Sequence, residues 1–284
     1  MRIFFLLLLL SSAYCSQAQF QIGLFGGVAN YTGDLLDKPY GFTNVAIGFT
    51  AGYRISDRVT LRAGATFGKI EGADSISTRN GLAQRNLSFQ SSLKEFSVTA
   101  EYNLFNIDDT RWTPFAFAGV AVFHFDPYTY DAAKMKVYLK PLSTEGQGLQ
   151  NYPEKKPYAL TQLSLPAGGG IKFAATDRIH LSAQIGLRLT FTDYLDDVGS
   201  AYIDQADLLA ARGPKAVELS YRGDEIPGGN QNYPGKGAHR GRSGDLIYND
   251  FYYISGINIT YNLGSSGSAF SGKRKDYGCP IVRQ

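Results

Sequence analysis

The feature that most constrains the fold of this chain is a repeated alternation of apolar and polar residues. One run places apolar side chains at every second position, namely Val59, Leu61, Ala63, Ala65 and Phe67. A period of two is the pattern of an extended strand with one apolar face. Comparable runs predict eight strands, at about 20–28, 45–54, 59–68, 95–104, 114–125, 161–174, 179–192 and 251–263.

These strands have the length and polarity of membrane-spanning barrel strands. Tilted strands of roughly 10 residues cross a bilayer, with apolar side chains toward lipid and polar ones toward the interior. Short turns alternate with long connections at 31–44, 71–94, 126–160 and 193–250. Outer-membrane barrels typically have short periplasmic turns and long external loops. We therefore predict an all-β, eight-stranded antiparallel transmembrane barrel in the outer membrane, with both termini in the periplasm.

The two ends of the chain differ from the barrel region. Arg2 precedes an apolar run, and small residues at Ser16 and Ala18 fit the cleavage rule of a secretory signal peptide. Cys15 leaves open a lipoprotein anchor, although the bulky Tyr14 before it disfavours that form of cleavage. We predict a signal peptide at 1–18, an outer-membrane barrel at 19–263 and a basic periplasmic tail at 264–284.

The composition excludes several classes of protein. After the leader, no run approaches the ~20 apolar residues that a helix needs to cross a membrane. The formal net charge of +3 is too small to indicate nucleic-acid binding. Removal of the leader would leave Cys279 as the only cysteine, so no internal disulfide is expected.

Several predicted inward positions carry charge. An eight-stranded barrel has an interior just wide enough to be filled by side chains. Cations and carboxylates there would compensate each other, so we expect a network of ion pairs in preference to a gated ion path. The residues concerned are Arg54, Arg62, Lys172, Arg188, Glu95 and Glu101.

Aromatic residues predict where the barrel meets the two membrane surfaces, because Tyr, Trp and Phe gather at such interfaces. At the strand ends joined by short turns these are Phe20, Tyr53, Tyr102, Trp112, Phe115, Phe173 and Tyr261. At the ends joined by long loops they are Tyr31, Phe67, Phe123, Phe125, Phe191, Tyr194 and Phe251. The fifth strand is apolar on both faces, so its pattern leaves open which of its residues face outward.

Few residues point to catalysis or metal binding. His124 lies near the predicted external rim, where small lipid-modifying barrels place catalytic groups, but no nucleophile motif or metal-spaced histidine pair accompanies it. Asp193, Asp196 and Asp197 could ligate calcium, but they lack the glycine and spacing of a dedicated loop. We therefore predict no enzyme, no cofactor and no metal site, and a hydrogen-bonded or solvated loop base as the role of these carboxylates.

The last long loop and the tail are where partner contacts are expected. The loop has a possible short helix at 206–211, and its Gly-, Asn- and Pro-rich part at 227–237 is expected to be disordered. The tail opens with Gly, Ser and Ala and would act as a flexible tether, while its basic cluster suits an acidic partner or anionic headgroups. The candidate partner-binding residues are Lys273, Arg274, Lys275 and Cys279.

Several separated strings of residues are familiar from one known family. They are Gly26, Gly27, Tyr31, Gly33, Asp34 and Leu35; Glu101, Tyr102 and Asn103; Thr113 and Pro114; His124, Phe125, Asp126 and Pro127; 144–148; 191–198; and 273–275 with Cys279 and Pro280. Together they resemble the PorG family, the outer-membrane barrel of the type 9 secretion system in Bacteroidota. The strings span nearly the whole chain after the leader.

The resemblance implies a non-enzymatic role at a periplasmic ring. PorG-like proteins are associated with the lipoprotein PorK and with PorN, and would help to tie their ring to the outer membrane during protein export and gliding. The assignment of the tail to a PorK-like or PorN-like partner follows from topology and charge, because no PorK-contacting residue is matched individually. Two alternatives stay open: an OmpA- or OmpX-like surface barrel whose external loops bind extracellular ligands, and a rim-active lipid-modifying enzyme.

Overall fold

The computed structural model describes residues 19–36, 38–76, 83–227, 229–241 and 249–263, and its main feature is a closed antiparallel barrel. The eight barrel strands are β1 Gln19–Thr32, β2 Asn44–Arg54, β3 Val59–Ala73, β4 Ser88–Asn103, β5 Trp112–Tyr130, β7 Thr161–Ala174, β8 Ile179–Thr190 and β9 Phe251–Asn262. The short strand β6, Lys136–Tyr138, extends the sheet beside the end of β5. The predicted fold class and strand number are confirmed.

The helices are short and lie in the connections. They are α1 Ile107–Thr110, α2 Gln205–Arg212 and α3 Pro214–Ser220, with 3-10 turns at Asp74–Ile76, Lys140–Leu142 and Gly223–Glu225. In the part of the chain that the structure describes, no helix has the length and apolar character needed to cross a membrane.

Closure of the barrel depends on β1, which pairs with β2 on one side and with β9 on the other. Leu24 of β1 lies opposite Phe49 in β2 and opposite Ile259 in β9. β4 and β5 close the remaining seam, with Val98 opposite Val120. Each of the eight barrel strands is therefore hydrogen-bonded to a neighbour on both sides, which is the condition for placing strands in hydrocarbon.

The outer wall of the barrel is a belt of exposed apolar side chains. Each barrel strand contributes to it, through Ile22, Ile47, Leu61, Phe96, Val120, Ile171, Ile185 and Ile257. Leu24 and Phe49 are 59% and 60% exposed at the centre of this belt. Such a continuous apolar surface is unfavourable in water and matches lipid tails, so the barrel wall is built to span a membrane.

The inside of the barrel is packed with rings that lie against glycines. A Cβ atom added to Gly27 would lie 2.8 Å from the Phe25 ring, and one added to Gly168 would lie 2.8 Å from the Phe117 ring. Glycine at these positions makes room for the rings inside a narrow barrel. The orientation of Phe117 also settles the open register of β5, in which the odd-numbered residues face inward.

Four strands are longer than predicted at the end that carries the long loops, and the first of them, β1, continues to Thr32. β3 continues to Ala73, β4 already begins at Ser88, and β5 reaches Tyr130, so the connection between β3 and β4 is 74–87. The prediction of a loop over 71–94 was wrong because the alternation continues above the apolar belt, where Ile70, Phe89 and Leu93 are buried. The strand pairs thus rise beyond the membrane and carry the loops.

The two predicted aromatic belts have different outcomes. At the end that carries the short turns, outward exposure is confirmed for Phe20, Tyr102, Trp112, Phe173 and Tyr261, but the prediction was wrong for Phe115, which is buried at an inward position of β5. At the end that carries the long loops, Phe67 and Phe191 are exposed, but Tyr31, Phe123 and Phe125 are fully buried. These three occupy inward positions of β1 and β5, so they fill the interior beneath the loops instead of facing lipid.

Candidate functional site: a folded cap on the barrel

The long loops fold together into a cap over one end of the barrel. We use "cap" for the described parts of 33–43, 74–87, 131–160 and 191–250. Its apolar core is continuous with the interior of the barrel, and the buried members of that core include Phe25, Tyr31, Leu35, Phe89, Phe125, Tyr158, Leu195 and Leu219. Loops packed in this way hold their surface groups in fixed positions.

Tyr31 joins the barrel to the last loop of the cap. Its hydroxyl lies 2.6 Å from Oδ2 of Asp196 and 3.1 Å from Oδ1 of Asp250. The same Asp196 oxygen accepts the backbone N–H of Leu35 at 3.2 Å, and Asp250 accepts that of Leu195 at 2.9 Å. One buried hydroxyl thus organises the start of β9, the end of β1 and the base of the last loop.

Ionisation of both carboxyl groups beside the Tyr31 hydroxyl is unfavourable, because this hydroxyl has only one proton to donate to them. A tyrosine hydroxyl donates one hydrogen bond, so it satisfies one of the two carboxyl oxygens as a donor. Burial raises the pKa of Asp196 well above its usual range, and neighbouring Asp34 raises it further. Burial and the charge of Asp196 likewise raise the pKa of Asp250. A proton held on this pair lets the second carboxyl donate to the Tyr31 oxygen.

Arg240 is the central cation of the cap, with a side chain 2% exposed. Its Nη1 donates to the Asp197 carbonyl and to Thr144 Oγ1, both at 2.7 Å, and its Nε donates to the Ser220 carbonyl at 3.1 Å. Glu145 Oε1 lies 3.4 Å from the same Nη1. The guanidinium therefore links the third long loop to two parts of the fourth.

The carboxyl partners of Arg240 are themselves held by the cap. Asp197 Oδ1 accepts the Tyr158 hydroxyl at 2.7 Å, and Glu145 Oε1 accepts the Gly199 N–H at 3.1 Å. Burial raises the pKa of Asp197 to about 6, while the Arg240 charge opposes that shift. The carboxylates Glu145 and Asp197 raise the pKa of Arg240, which keeps this guanidinium charged.

A second buried cation fastens the loop between β3 and β4 to the others. Arg85 donates to both oxygens of Asp74, at 2.8 and 2.6 Å, and to the Asp34 carbonyl at 3.2 Å. It also donates to the carbonyl oxygen of Arg240. Since both Asp74 and Arg85 are buried, this bidentate pair joins the two described flanks of the loop.

The prediction that Asp193, Asp196 and Asp197 form a loop base held by hydrogen bonds is confirmed for Asp196 and Asp197. Their carboxylates accept from Tyr31, Tyr158, Thr144 and backbone N–H groups of the cap. Within the described ranges, no group of three or more His, Cys, Asp or Glu side chains is arranged to hold a metal ion.

The barrel interior contains the predicted ion pairs. Arg188 donates two hydrogen bonds of 3.1 Å to Glu95, which also accepts the Tyr252 hydroxyl at 2.8 Å. Glu101 pairs with Lys172 and, at 3.4 Å, with Arg62. The cavity beside this second group has a volume of about 10 Å³, which is room for about one water. Side chains therefore fill the interior around Glu101.

Arg54, predicted to join the interior network, closes the other end of the barrel. Its guanidinium pairs with Asp108 of α1, at 2.6 Å for the closer contact. Asn106 caps α1 by accepting the Asp108 N–H at 3.1 Å, so the turn presents its carboxylate to the barrel mouth. The carboxylate thus comes from a short turn and not from the barrel wall.

His124 faces away from both the interior and the cap. It is on the outward face of β5, where its Nδ1 lies 2.9 Å from Thr161 Oγ1 and its strand neighbour is Lys94. The predicted tail residues Lys273, Arg274, Lys275 and Cys279, like the predicted leader at 1–18, lie outside the described residues.

The last loop is more folded than its composition suggests. Helix α2, Gln205–Arg212, confirms the predicted helix, and Asp204 caps it by accepting the Ala206 N–H at 2.8 Å. The expected disorder at 227–237 is contradicted at Tyr233, which packs edge-to-face against Tyr202 and Tyr221 with ring centroids 5.6 and 6.2 Å apart. Aromatic packing compensates for the high glycine and proline content there.

Sequence reasoning missed the main cations and carboxylates of the cap. Arg240 lies in a Gly- and Arg-rich stretch that resembles a solvated linker, and Asp74, Arg85 and Glu145 lie in segments without periodicity. Their partners are 11 to 155 positions away along the chain. The available signal was the set of strings that resemble one family, because 144–148 and 191–198 contain Glu145 and Asp197.

Comparison with known proteins gives the family of the chain. The model of a family described as "Domain of unknown function (DUF6089)" matches residues 1–208. The chain belongs to the DUF6089 family. Among curated proteins, none matches this member of the family by sequence.

Solved structures resemble this DUF6089 protein at low sequence identity. Neisserial surface protein A is 10% identical, with 87% of this chain and 97% of that one covered and a TM-score of 0.42. Ail, the attachment invasion locus protein of Yersinia pestis, is 7% identical, with 87% of this chain and 99% of that one covered and a TM-score of 0.40. The outer membrane protein OprG from Pseudomonas aeruginosa is 9% identical, with 86% of this chain and 97% of that one covered and a TM-score of 0.39.

Proposed function

We propose that this DUF6089 protein is a non-enzymatic barrel of the outer membrane that anchors or organises the periplasmic ring of a type 9 secretion system. The observation that carries the proposal is that segments which resemble the PorG family, although far apart in sequence, contact each other in one cluster at the base of the cap. Tyr31 and Leu35 from the first string bind Asp196 from the 191–198 string. Asp197 of that same string accepts the hydroxyl of Thr144 from the 144–148 string.

The filled interior supports a structural role over a pore. The two ion-pair groups at Glu95 and Glu101 and the Phe25 and Phe117 rings occupy the interior, and the cavity beside Glu101 has a volume of about 10 Å³. A barrel of this kind supplies a rigid object in the membrane and two ends for contact. Its role would then be decided at those ends.

The proposed orientation places the short turns in the periplasm and the cap outside. Leu263, after which the tail begins, lies beside Phe20 at the start of β1, with its N–H 2.7 Å from the Phe20 carbonyl. A tail that starts there would enter the periplasm. Lys273, Arg274 and Lys275 would then meet an acidic surface of a PorK-like or PorN-like ring protein.

Co-purification from cells tests the anchoring role. We expect the full-length protein to capture PorK-like and PorN-like proteins, and removal of 264–284 to abolish the capture. A matched variant that changes Lys273, Arg274 and Lys275 to Gln keeps the tail length and should lose most of it. Capture that is unchanged by both variants would remove the tail from the proposal, and absence of both ring proteins would overturn the proposal itself.

Cysteine labelling tests the orientation. Cys279 should react with a membrane-impermeant maleimide after the outer membrane is permeabilised and stay unlabelled in intact cells. Gln150 is exposed on the cap, so Gln150→Cys in a Cys279→Ser background should be labelled in intact cells. The opposite pattern would reverse the orientation.

A second candidate function is that of a surface barrel whose cap binds an extracellular ligand. The observation in its favour is the folded cap, which presents an open groove beside α2. The rim-active enzyme is a weaker candidate because His124 faces outward beside Thr161 and Lys94, away from the cap. An unchanged lipid A composition in cells that carry His124→Gln would eliminate it.

A further inference from the structure

A groove on the cap has the chemistry of an anion site. It lies between the loop after β6 and the end of α2, has a volume of about 480 Å³, and is lined by Lys140, Ser143, Gln147, Arg212, Pro141 and Pro157 among others. No Asp or Glu is among its described lining residues. Its side-chain cations are Lys140 and Arg212.

Gln147 supplies the observation that points most directly to a ligand. Its Oε1 accepts the Glu145 N–H at 3.1 Å, which fixes the orientation of the amide and turns Nε2 away from that backbone. The side chain is 4% exposed, and its Nε2 has no hydrogen-bond partner in the described part of the chain. A buried amide N–H₂ without an acceptor is unfavourable unless another group accepts from it.

The neighbouring groups are positioned to act with this amide. Arg212 donates its Nε to Ser143 Oγ at 3.2 Å, so the Ser143 proton is available to a ligand. The exposed Arg212 guanidinium has further N–H groups, and Lys140 adds a second positive charge. Two cations, a hydroxyl and an amide are among the residues that line the groove, and such groups recognise a carboxylate or a phosphate.

The groove continues along α2 with a different chemistry. A second groove of about 440 Å³ shares Gly148 and Arg212 with the first and is lined further on by Gln150, Asn151 and Asp207. Amide groups donate to and accept from hydroxyls, and a carboxylate accepts from them. One anion site is thus followed along the groove by polar groups without a further cation. This arrangement matches a sugar chain with one acidic group better than an acidic peptide, because a peptide of that kind carries a negative charge on successive side chains.

We propose that this groove binds an acidic saccharide, with its carboxylate or phosphate held by Lys140, Arg212, Ser143 and Gln147 and its hydroxyls along α2. The inference goes beyond the anchoring role and does not depend on it. The groove is on the cap, whereas the tail follows Leu263 at the opposite end of the barrel.

Calorimetric titration of the full-length protein in detergent tests the proposal. The probes are tetragalacturonate, which carries carboxylates, and a phosphorylated pentamannose. We expect saturable binding of at least one of them, weakened about tenfold by Arg212→Gln or Lys140→Gln, which is the scale of one charge-assisted contact. Gln147→Met keeps the side-chain length without the donor and should weaken binding several-fold.

The controls separate this site from general charge effects. Lys94→Gln makes the same charge change on the exposed outward rim of the barrel and should leave binding unchanged. Migration on an unheated gel shows that each variant keeps its compact barrel. Failure of the wild type to bind either acidic probe overturns the proposal, as does equal binding of neutral maltotetraose. Equal or tighter binding of pentaglutamate overturns the saccharide assignment in favour of a peptide.

Discussion

Tyr31 and Asp196 form a buried hydrogen bond of 2.6 Å between residues that are 165 positions apart. The bond connects the last inward position of β1 with the base of the longest loop. Around it lie a second carboxyl, Asp250, and the backbone of Leu35. The stability of the cap therefore depends on a contact that draws together both ends of the barrel sequence.

Removal of the Tyr31 hydroxyl should loosen the cap. Tyr31→Phe keeps the ring, which packs edge-to-face on Phe89 at 4.8 Å, and leaves the Asp196 oxygen without its main side-chain donor. We expect a loss of about 1–3 kcal/mol in unfolding free energy, the usual cost of a buried polar group without its partner. Denaturant unfolding followed by near-ultraviolet circular dichroism measures it.

The matched control for this variant is Tyr102→Phe, because Tyr102 is 48% exposed on the outer wall. It should change the unfolding free energy by less than about 0.5 kcal/mol. Equal effects of the two substitutions would show that the Tyr31 hydroxyl does not hold the cap.

The barrel could be predicted from the sequence because its physical rule is local. Alternation with a period of two places Leu24, Leu163 and Ile257 outward without knowledge of any other strand, and each is exposed in the structure. Compensation of charge inside a narrow barrel predicts the partners of Glu95 and Glu101 almost as directly. These predictions needed the strand pattern alone.

The cap could not be predicted because its interactions are distant in sequence and have no period. Nothing near Arg240 indicates that it meets Glu145 or Asp197, and a Gly- and Arg-rich stretch is usually solvated. The positions of Tyr31 and Phe123 along the barrel axis predict an aromatic belt only when the inward and outward alternation of the strand is left aside. This alternation places both rings inward.

The acidic pair beneath the cap should make stability fall as the pH rises. Burial raises the pKa of both Asp196 and Asp250, so the folded cap binds more protons than the unfolded chain above about pH 4. Stability is then lost progressively as the pH increases from about 4 through the raised folded values. Asp34 and Asp193 face the same pair and act in the same direction, because their charges also raise these pKa values.

Thermal unfolding between about pH 5 and pH 9 measures this effect. Asp250→Asn removes one titrating group and should flatten the profile, with its largest gain in stability at the alkaline end. A wild-type profile that rises with pH across this range, or a variant that retains the full slope, would contradict the assignment.

Loss of the Arg240 guanidinium should be among the most damaging changes in the cap. Arg240→Met keeps much of the side-chain volume but leaves Asp197 and Glu145 buried without their cation. Breaking a buried ion pair from one side typically costs about 3–5 kcal/mol. Arg222→Met is the control, because its pair with Glu225 is partly exposed and such pairs contribute about 0–1 kcal/mol. Limited proteolysis of the cap should show rapid cleavage in the first variant and slow cleavage in the second.

The interior ion pairs make a prediction about charge balance that can be tested by a double substitution. Glu101 faces both Lys172 and Arg62, so Glu101→Gln leaves two cations in a narrow interior with one carboxylate fewer. We expect a loss of about 3–5 kcal/mol in the free energy of unfolding, because the buried charges lose their partner.

The double variant Glu101→Gln with Lys172→Met removes one charge of each sign and should recover much of this loss. Since replacing a buried pair by apolar groups is often neutral, recovery would show that compensation of charge, and not the pair as such, maintains the interior. A double variant as unstable as the sum of its two single variants would instead show that each side chain contributes independently, and unfolding in urea with lipid vesicles distinguishes the two outcomes.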